Sequence, residues 1–278
     1  MKWQGRSGSG NVEDRRGLGM GLPIGGGIGG LVLLLIFSAL TGTNPADLIN
    51  GGDPSSEQTA GTSGTPDDQE GQFVSVVLKD TEETWTEIFR QNGETYQPPT
   101  LVLFTQATQS ACGVGQSAMG PFYCPSDRKV YLDLSFFEEL ATRFGAPGDF
   151  AAAYVVAHEV GHHIQTLTGV SERVMSARQR ASEREADALS VRQELQADCY
   201  AGVWGHYAAQ RGLLEPGDAE EGLQAAAAIG DDRLQRQGQG RVVPESFTHG
   251  SSEQRVQWLR RGMDAGRVES CDTFNSNS

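Results

Sequence analysis

Apolar side chains follow four different patterns along the 278 residues of the chain. Residues 1–16 are mostly polar, and residues 17–46 carry no charge and centre on the strongly apolar run 31–37. Residues 47–72 are rich in Gly, Ser, Thr, Pro and acids, a composition typical of flexible linkers. From residue 73 onward, alternating and helical apolar patterns continue almost to the C-terminus. The sequence therefore predicts a short tail, an apolar segment, a linker and one folded domain over residues 73–278.

Within this domain the predicted strands come early and most predicted helices come late. Short apolar runs at 101–104 and 129–134 indicate two buried strands with a Gly-rich excursion between them. Helical periodicity covers about 80–91, 150–168, 180–210, 218–229 and a last helix from Ser252. The expected fold class is therefore α+β, with a small early β-sheet and a mostly helical remainder.

The apolar segment 17–46 predicts a transmembrane helix over about 22–42, because a bilayer core takes about 20 apolar residues. The Lys and Arg residues before it favour a cytoplasmic N-terminus. Residues 1–16 would then be a short basic cytoplasmic tail, and the domain would lie outside the cytoplasm. A cleaved signal peptide and a Gly-rich disordered tail are the alternatives, and whether the predicted helix is ever cleaved stays open.

The overall charge narrows the range of partners. The formal net charge is -14 and the sequence pI is about 4.8. A chain this acidic is not expected to bind nucleic acid unaided, because the phosphate backbone would repel it.

Four cysteines, Cys112, Cys124, Cys199 and Cys271, all follow the apolar segment. Disulfides form outside the cytoplasm, and four cysteines allow three pairings. The simplest pairing joins Cys112 to Cys124 across the Gly-rich excursion and leaves Cys199 to pair with Cys271. A cysteine zinc site and four free thiols are the alternatives, although no C-x-x-C spacing supports the zinc site.

Candidate chemistry is concentrated at residues 158–162, which read His-Glu-Val-Gly-His inside a predicted helix. His158 and His162 lie one helical turn apart on the same face, so both imidazoles can bind one zinc ion. Glu159 would lie beside the metal as a general base. The alternative is a helix that carries histidines without binding metal, which would bury polar groups among apolar neighbours for no evident reason. His163 lies about 100° around the helix from His162, so we expect it to be a packing or surface residue.

A catalytic zinc site needs a third protein ligand and an open position for water. Glu194 is the best-placed candidate, because it begins the run Glu-Leu-Gln-Ala-Asp and shares a helix face with Asp198. Glu194 would bind zinc, and Asp198 would accept the free ring N–H of a ligand histidine. An ordinary charged helix face would carry the same two acids. The other candidates for the third ligand are Glu172, Glu183, Glu185, His206 and His249.

The segments HEVGHHIQ at 158–165, ELQADCYAGVW at 194–204 and THGSSEQRV at 248–256 resemble the bacterial neutral zinc metallopeptidase family of single-pass membrane proteins. The first two segments also resemble the gluzincin metallopeptidases. The resemblance covers nearly the whole chain and implies a zincin-like fold that binds Zn²⁺. It supplies no substrate, and the linker at 47–72 looks particular to this chain.

Together these observations predict a metalloendopeptidase in the bacterial cell membrane, with an extracytoplasmic catalytic domain and protein or peptide substrates. Glu159 would take a proton from a water molecule activated by zinc. We predict that His249, in a Gly-flanked loop, donates to the oxyanion, with Arg255 as the second candidate donor and a surface turn as the other role for His249. Two other functions stay open: a membrane-tethered scaffold without turnover, and zinc-dependent hydrolysis of a cell-wall amide.

Overall fold

A small mixed β-sheet and a larger set of helices form the fold in the computed structural model, which describes residues 1–17 and 61–275. The strands are β1 (Val12–Asp14), β2 (Thr62–Ser63), β3 (Thr100–Phe104), β4 (Ala107–Ser110), β5 (Gly113–Gln116), β6 (Phe122–Cys124) and β7 (Lys129–Asp133). The sheet order is β2-β1-β3-β7-β6, in which β1, β3 and β7 are parallel and the two outer strands are antiparallel to their neighbours. Strands β4 and β5 form a separate hairpin.

Eight α-helices surround the sheet within the described ranges. They are α1 (Gln69–Gln91), α2 (Ser135–Thr142), α3 (Asp149–Leu167), α4 (Val170–Arg178), α5 (Glu183–Gln210), α6 (Asp218–Ala228), α7 (Asp231–Gln239) and α8 (Ser252–Ala265). Three short 3₁₀ turns, Ser117–Met119, Pro244–Ser246 and Val268–Cys271, complete the elements. The predicted α+β class is confirmed.

The elements with clear periodicity match their predictions. Strands β3 and β7 lie at the predicted runs, and α3, α5, α6 and α8 lie at the predicted late helices. Helix α1 begins at Gln69 rather than at residue 80, because the Asp68 side chain caps it by accepting the N–H of Gly71 at 2.9 Å. The last part of the predicted linker is therefore structured.

Residues 1–17 are part of the domain, which corrects the prediction of a separate tail at 1–16. Strand β1 lies between β2 and β3, and the Val12 side chain is 1% exposed. The hydroxyl of Ser9 and the side-chain amide of Asn11 donate to the buried carboxylate of Glu82 at 2.6 and 2.7 Å. The backbone N–H of Lys2 donates to the carbonyl of Leu213 at 2.8 Å. A domain boundary at residue 73 therefore cuts through this sheet.

The predicted membrane span at about 22–42 lies outside the described residues. Among residues 1–17 and 61–275, no helix is long and apolar enough to cross a bilayer. A single crossing between β1 and β2 would place these strands on opposite sides of the membrane. The register pairs Glu13 with Ser63 and Asp14 with Thr62, so a cytoplasmic tail combined with an extracytoplasmic domain is incompatible with this sheet.

Helices α3, α5 and α8 approach closely through glycines. A Cβ at Gly202 of α5 would overlap the carbonyl oxygen of Leu259, and one at Gly262 of α8 would overlap the carbonyl of Cys199. The two helices therefore pack nearly backbone to backbone, as small residues allow. The disulfides Cys112–Cys124 and Cys199–Cys271 are both formed as predicted, and the second ties α5 to the chain that follows α8.

Candidate metal centre and catalytic cleft

Helices α3 and α5 bring three potential metal ligands together. His158 and His162 lie one turn apart on α3, and Glu194 faces them from α5. Nε2 of His158 is 3.2 Å from one carboxylate oxygen of Glu194, and Nε2 of His162 is 3.4 Å from the other. The potential ligand atoms of the three residues all lie within 4.8 Å of one another. They can therefore contact one ion.

His158 and His162 are each held in place through Nδ1. Nδ1 of His158 lies 2.8 Å from Oδ1 of Asp198, and Nδ1 of His162 lies 2.9 Å from Oε1 of Gln165. The Gln165 amide nitrogen donates to the carbonyl of Gln193 at 2.7 Å, so its oxygen is directed toward His162. Both Nδ1 atoms face oxygen acceptors and therefore carry a hydrogen. Each Nε2 is thus left for the metal, the arrangement typical of zinc-binding histidines.

The carboxylates around His158 and His162 favour positive charge at this cluster. Burial opposes protonation of His158, yet the charge of Asp198 and hydrogen bonds to Asp198 and Glu194 raise its pKa to about 10. Burial also opposes ionisation of Glu194, but the charges of both histidines hold its pKa well below the usual range. Two imidazoles and one carboxylate fit Zn²⁺, whereas Ca²⁺ and Mg²⁺ prefer oxygen ligands alone. The residues present therefore fit a zinc ion.

Glu159 lies beside the ligands at the wall of a cleft of about 920 Å³. Its side chain is buried, and burial raises the pKa of its carboxyl, which the neighbouring histidines lower in part. A carboxyl shifted in this way is suited to accept and return a proton near neutral pH. The polar and ionisable residues that line the cleft include Tyr154, His158, Glu159, His162, Glu194, His249 and Arg255.

His249 reaches the cleft from a loop that Asp231 organises. One carboxylate oxygen of Asp231 accepts the backbone N–H groups of Thr248, His249 and Gly250 at 2.7, 2.7 and 3.1 Å. The other lies 3.1 Å from Nδ1 of His249, whose side chain is 54% exposed. The hydrogen bond to Asp231 raises the pKa of His249. The ring is thus oriented through Nδ1, and Nε2 has no hydrogen-bond partner among the residues that the structure describes.

A family model described as "putative neutral zinc metallopeptidase" matches residues 1–274 of the chain. The chain belongs to this family. It is 50% identical over 286 residues to "Uncharacterized protein YpfJ" of Escherichia coli (strain K12), with all of both chains covered. It is 46% identical over 192 residues to "Uncharacterized protein Rv2575" of Mycobacterium tuberculosis (strain ATCC 25618 / H37Rv), covering 65% of this chain and 64% of the relative. No solved structure matches the chain.

The family match includes residues 1–17, which agrees with their place in the sheet. A family of zinc metallopeptidases implies Zn²⁺ and peptide hydrolysis at the level of the whole family. The family name assigns no role to a particular residue, so the roles of the site residues rest on geometry and chemistry.

The remaining histidine of the motif helix packs in the interior. Nε2 of His163 lies 2.6 Å from the carbonyl oxygen of Gln97, so this nitrogen carries the hydrogen. Nδ1 can then accept a hydrogen bond from the hydroxyl of Tyr123 at 3.1 Å. Burial lowers the pKa of His163 to about 4, which keeps the ring neutral. The structure therefore gives His163 a packing position beside the cleft.

The other candidate ligands have different places. Glu185 completes the capping box of α5, and Nδ1 of His206 faces the carbonyl of Met263 at 2.7 Å. The group of potential ligands around the motif contains neither of them. Arg255 is buried, and two of its guanidinium nitrogens donate to Asp198 at 2.9 Å each. These two bonds direct part of the guanidinium toward Asp198, although Arg255 also lines the cleft.

Three further residues contact the site, and none of them was predicted from the sequence. Gln165 follows His162 by three positions, so its helical spacing could have indicated the contact. Tyr154 precedes His158 by four positions on the same helix and offered the same signal. Asp231 lies 18 residues before His249, and no local spacing links them.

Proposed function

We propose that the protein is a zinc-dependent metalloendopeptidase that hydrolyses peptide bonds in protein or peptide substrates. The observation that carries this proposal is the convergence of two histidine Nε2 atoms and the Glu194 carboxylate beside the buried carboxyl of Glu159. Membership of the zinc metallopeptidase family supports the reaction class.

His158, His162 and Glu194 would hold the zinc ion. When bound, zinc would supply Lewis acidity and lower the pKa of a water molecule in the cleft. Glu159 would accept a proton from the attacking water and pass it to the leaving amine. His249 would donate through Nε2 to the oxyanion that forms when water adds to the carbonyl.

The cleft favours an extended peptide over a compact small molecule. Strand β6 is the last strand of the described sheet and pairs with β7 on one side. Phe122 and Tyr123 of this strand line the cleft, together with apolar side chains such as Met119 and Phe136. An edge strand can pair with an extended chain through its backbone, while the neighbouring pockets take side chains.

The two disulfides support a location outside the cytoplasm, where thiols are oxidised. Membrane association through the apolar segment 17–46 stays a prediction from the sequence. Because β1 and β2 are paired, we propose that residues 1–17 and the domain lie on the same side of the membrane.

The experiment compares the full chain with Glu194→Ala and Glu159→Gln, and the exposed Glu83→Gln is the matched control. We expect about one zinc per wild-type chain, loss of most zinc in Glu194→Ala, and retained zinc with turnover lowered by about 10²-fold or more in Glu159→Gln. Zinc content is measured by metal analysis, and cleavage is measured on an unfolded protein and a peptide library.

The outcomes separate the proposed function from its alternatives. Wild-type protein that binds zinc but cleaves no peptide favours the scaffold, whereas release of fragments from peptidoglycan alone favours cell-wall amide hydrolysis. Full zinc occupancy in Glu194→Ala would remove Glu194 from the ligand set.

A further inference from the structure

The carboxylate of Asp198 is the most heavily hydrogen-bonded group beside the metal centre. It is fully buried, and its Oδ1 atom faces Nδ1 of His158 at 2.8 Å, the hydroxyl of Tyr154 at 2.5 Å and Nη2 of Arg255 at 2.9 Å. Oδ2 accepts Nε of Arg255 at 2.9 Å. Arg255 therefore spans both carboxylate oxygens, and Nη2 also lies 3.1 Å from the Tyr154 hydroxyl.

This contact crosses three helices. Asp198 lies on α5, His158 and Tyr154 lie on α3, and Arg255 lies on the first turns of α8. The close glycine packing of α5 against α8 brings the guanidinium within reach of the carboxylate. Arg255 is 3% exposed, so its side chain is packed in the interior and does not fold over the cleft from the surface.

Arg255 also contacts the side of the cleft that carries His249. Nη1 donates to the carbonyl of Ile229 at 3.3 Å, where α6 ends. Two residues later, the backbone N–H of Asp231 donates to the carbonyl of Gly250 at 2.9 Å. One guanidinium therefore links the partner of a metal-ligand histidine to the segment that holds the His249 loop.

A buried ion pair alone does not explain this arrangement, because such pairs add little net stability compared with well-packed apolar residues. A planar guanidinium that binds both carboxylate oxygens does fix the carboxylate plane, which a point charge would not. One of the two oxygens fixed in this way, Oδ1, is the oxygen that faces Nδ1 of His158. The direction of Nε2 follows from that hydrogen bond.

We propose that Arg255 is a positioning residue for the metal centre: it fixes Asp198, and through Asp198 it sets the direction in which His158 presents Nε2 to zinc. This inference rests on the zinc site of the proposed function. It assigns Arg255 no contact with the reacting atoms.

The experiment measures zinc affinity of the full chain by competition with a chromogenic chelator and records the visible spectrum of the Co²⁺-substituted protein. The variants are Arg255→Met, Arg255→Lys, Asp198→Asn and the double variant Asp198→Asn/Arg255→Met. The matched control is Arg260→Met, an exposed arginine on the same helix. Circular dichroism of the metal-free proteins checks folding.

We expect Arg255→Met and Asp198→Asn each to weaken zinc binding by about 10- to 100-fold and to change the Co²⁺ spectrum, as loss of an outer hydrogen-bond partner does. Arg255→Lys should weaken binding by about 10-fold, because an ammonium keeps the charge but cannot span both oxygens. The double variant should lie within about twofold of Asp198→Asn, because Arg255 acts through Asp198.

A folded Arg255→Met with wild-type zinc affinity and an unchanged Co²⁺ spectrum would overturn the inference. If Arg255→Met does not fold, wild-type values in Arg255→Lys would overturn it instead. Additive losses in the double variant would also contradict it, and so would a wild-type chain that binds no zinc. Zinc binding without peptide cleavage would count against the proposed function alone, because none of these measurements uses turnover.

Discussion

Removal of the His249 ring tests whether this residue donates a hydrogen bond to the oxyanion. In His249→Ala, we expect kcat to fall by roughly 10²-fold, about 2.7 kcal/mol of transition-state stabilisation, the usual effect of losing one oxyanion donor. Zinc content and the free energy of unfolding should change little, because the side chain is 54% exposed and is not among the clustered ligands.

The same geometry predicts a pH dependence. Asp231 faces Nδ1 of His249 at 3.1 Å, so the hydrogen of a neutral ring is placed on Nδ1 and Nε2 has none to donate. Only the protonated ring can donate through Nε2. The hydrogen bond to Asp231 raises the pKa of His249 above 6.5. The value of kcat/KM should therefore fall as the pH rises through this raised pKa.

Asp231→Asn removes the charge that raises the pKa but keeps an oxygen acceptor for the loop. We expect its alkaline limb to move to lower pH. Asp232→Asn is the matched control, because Asp232 accepts the backbone N–H of Ser252 at 2.6 Å. The assay is kcat/KM for a fluorogenic peptide from pH 5 to pH 10 at saturating zinc. Wild-type kcat in His249→Ala, or an alkaline limb that Asp231→Asn leaves in place, would refute the reasoning.

Three further predictions concern the fold and the metal-free protein. Val12→Ala should lower the free energy of unfolding by about 2 kcal/mol in urea titrations, because Val12 is 1% exposed. Val114→Ala should change it little, because the Val114 side chain is 50% exposed. Equal effects of the two substitutions would contradict the docking of β1. The metal-free protein, prepared with a chelator, should lose stability from pH 6.5 to about 10, because the pKa of His158 is higher in the folded state than in the unfolded state. Saturating zinc should abolish this loss. A stability that does not change with pH in the metal-free protein would contradict the raised pKa of His158. Gly17→Cys and Asn275→Cys should both react with a membrane-impermeant maleimide added to spheroplasts, and labelling at one position alone would contradict a common side for β1 and the domain.

The cluster of His158, His162 and Glu194 could be predicted because a helix converts sequence spacing into geometry. The four-residue intervals between His158 and His162, and between Glu194 and Asp198, each place two side chains on one face of a helix. Burial of both helices then brings these faces together, and Glu194 lies within 3.4 Å of both rings. The disulfide pairing was predictable in the same way, because a short loop leaves one simple closure.

The contacts that orient the site were not predictable from spacing. Arg255 reaches Asp198 across 57 residues, and Asp231 reaches His249 across 18. These contacts depend on how closely α5 and α8 pack and on where α6 ends, and both are properties of the assembled core. In the sequence, a charged residue that forms such a buried contact looks the same as one that is exposed to solvent.

In the N-terminal segment, local charge and strand pairing lead to different predictions of topology. The positive-inside rule counts Lys and Arg near a span, but it takes no account of their partners within the fold. Here Arg15 pairs with Glu13 at 2.7 Å and Arg16 with Asp14 at 2.6 Å, while the three-residue strand β1 is too short for an alternating pattern to be recognised. Because β1 lies between β2 and β3, the sheet forms only when residues 1–17 and the chain from residue 61 meet in one compartment. We therefore base the proposed side of the N-terminus on strand pairing and not on the charges that flank the apolar segment.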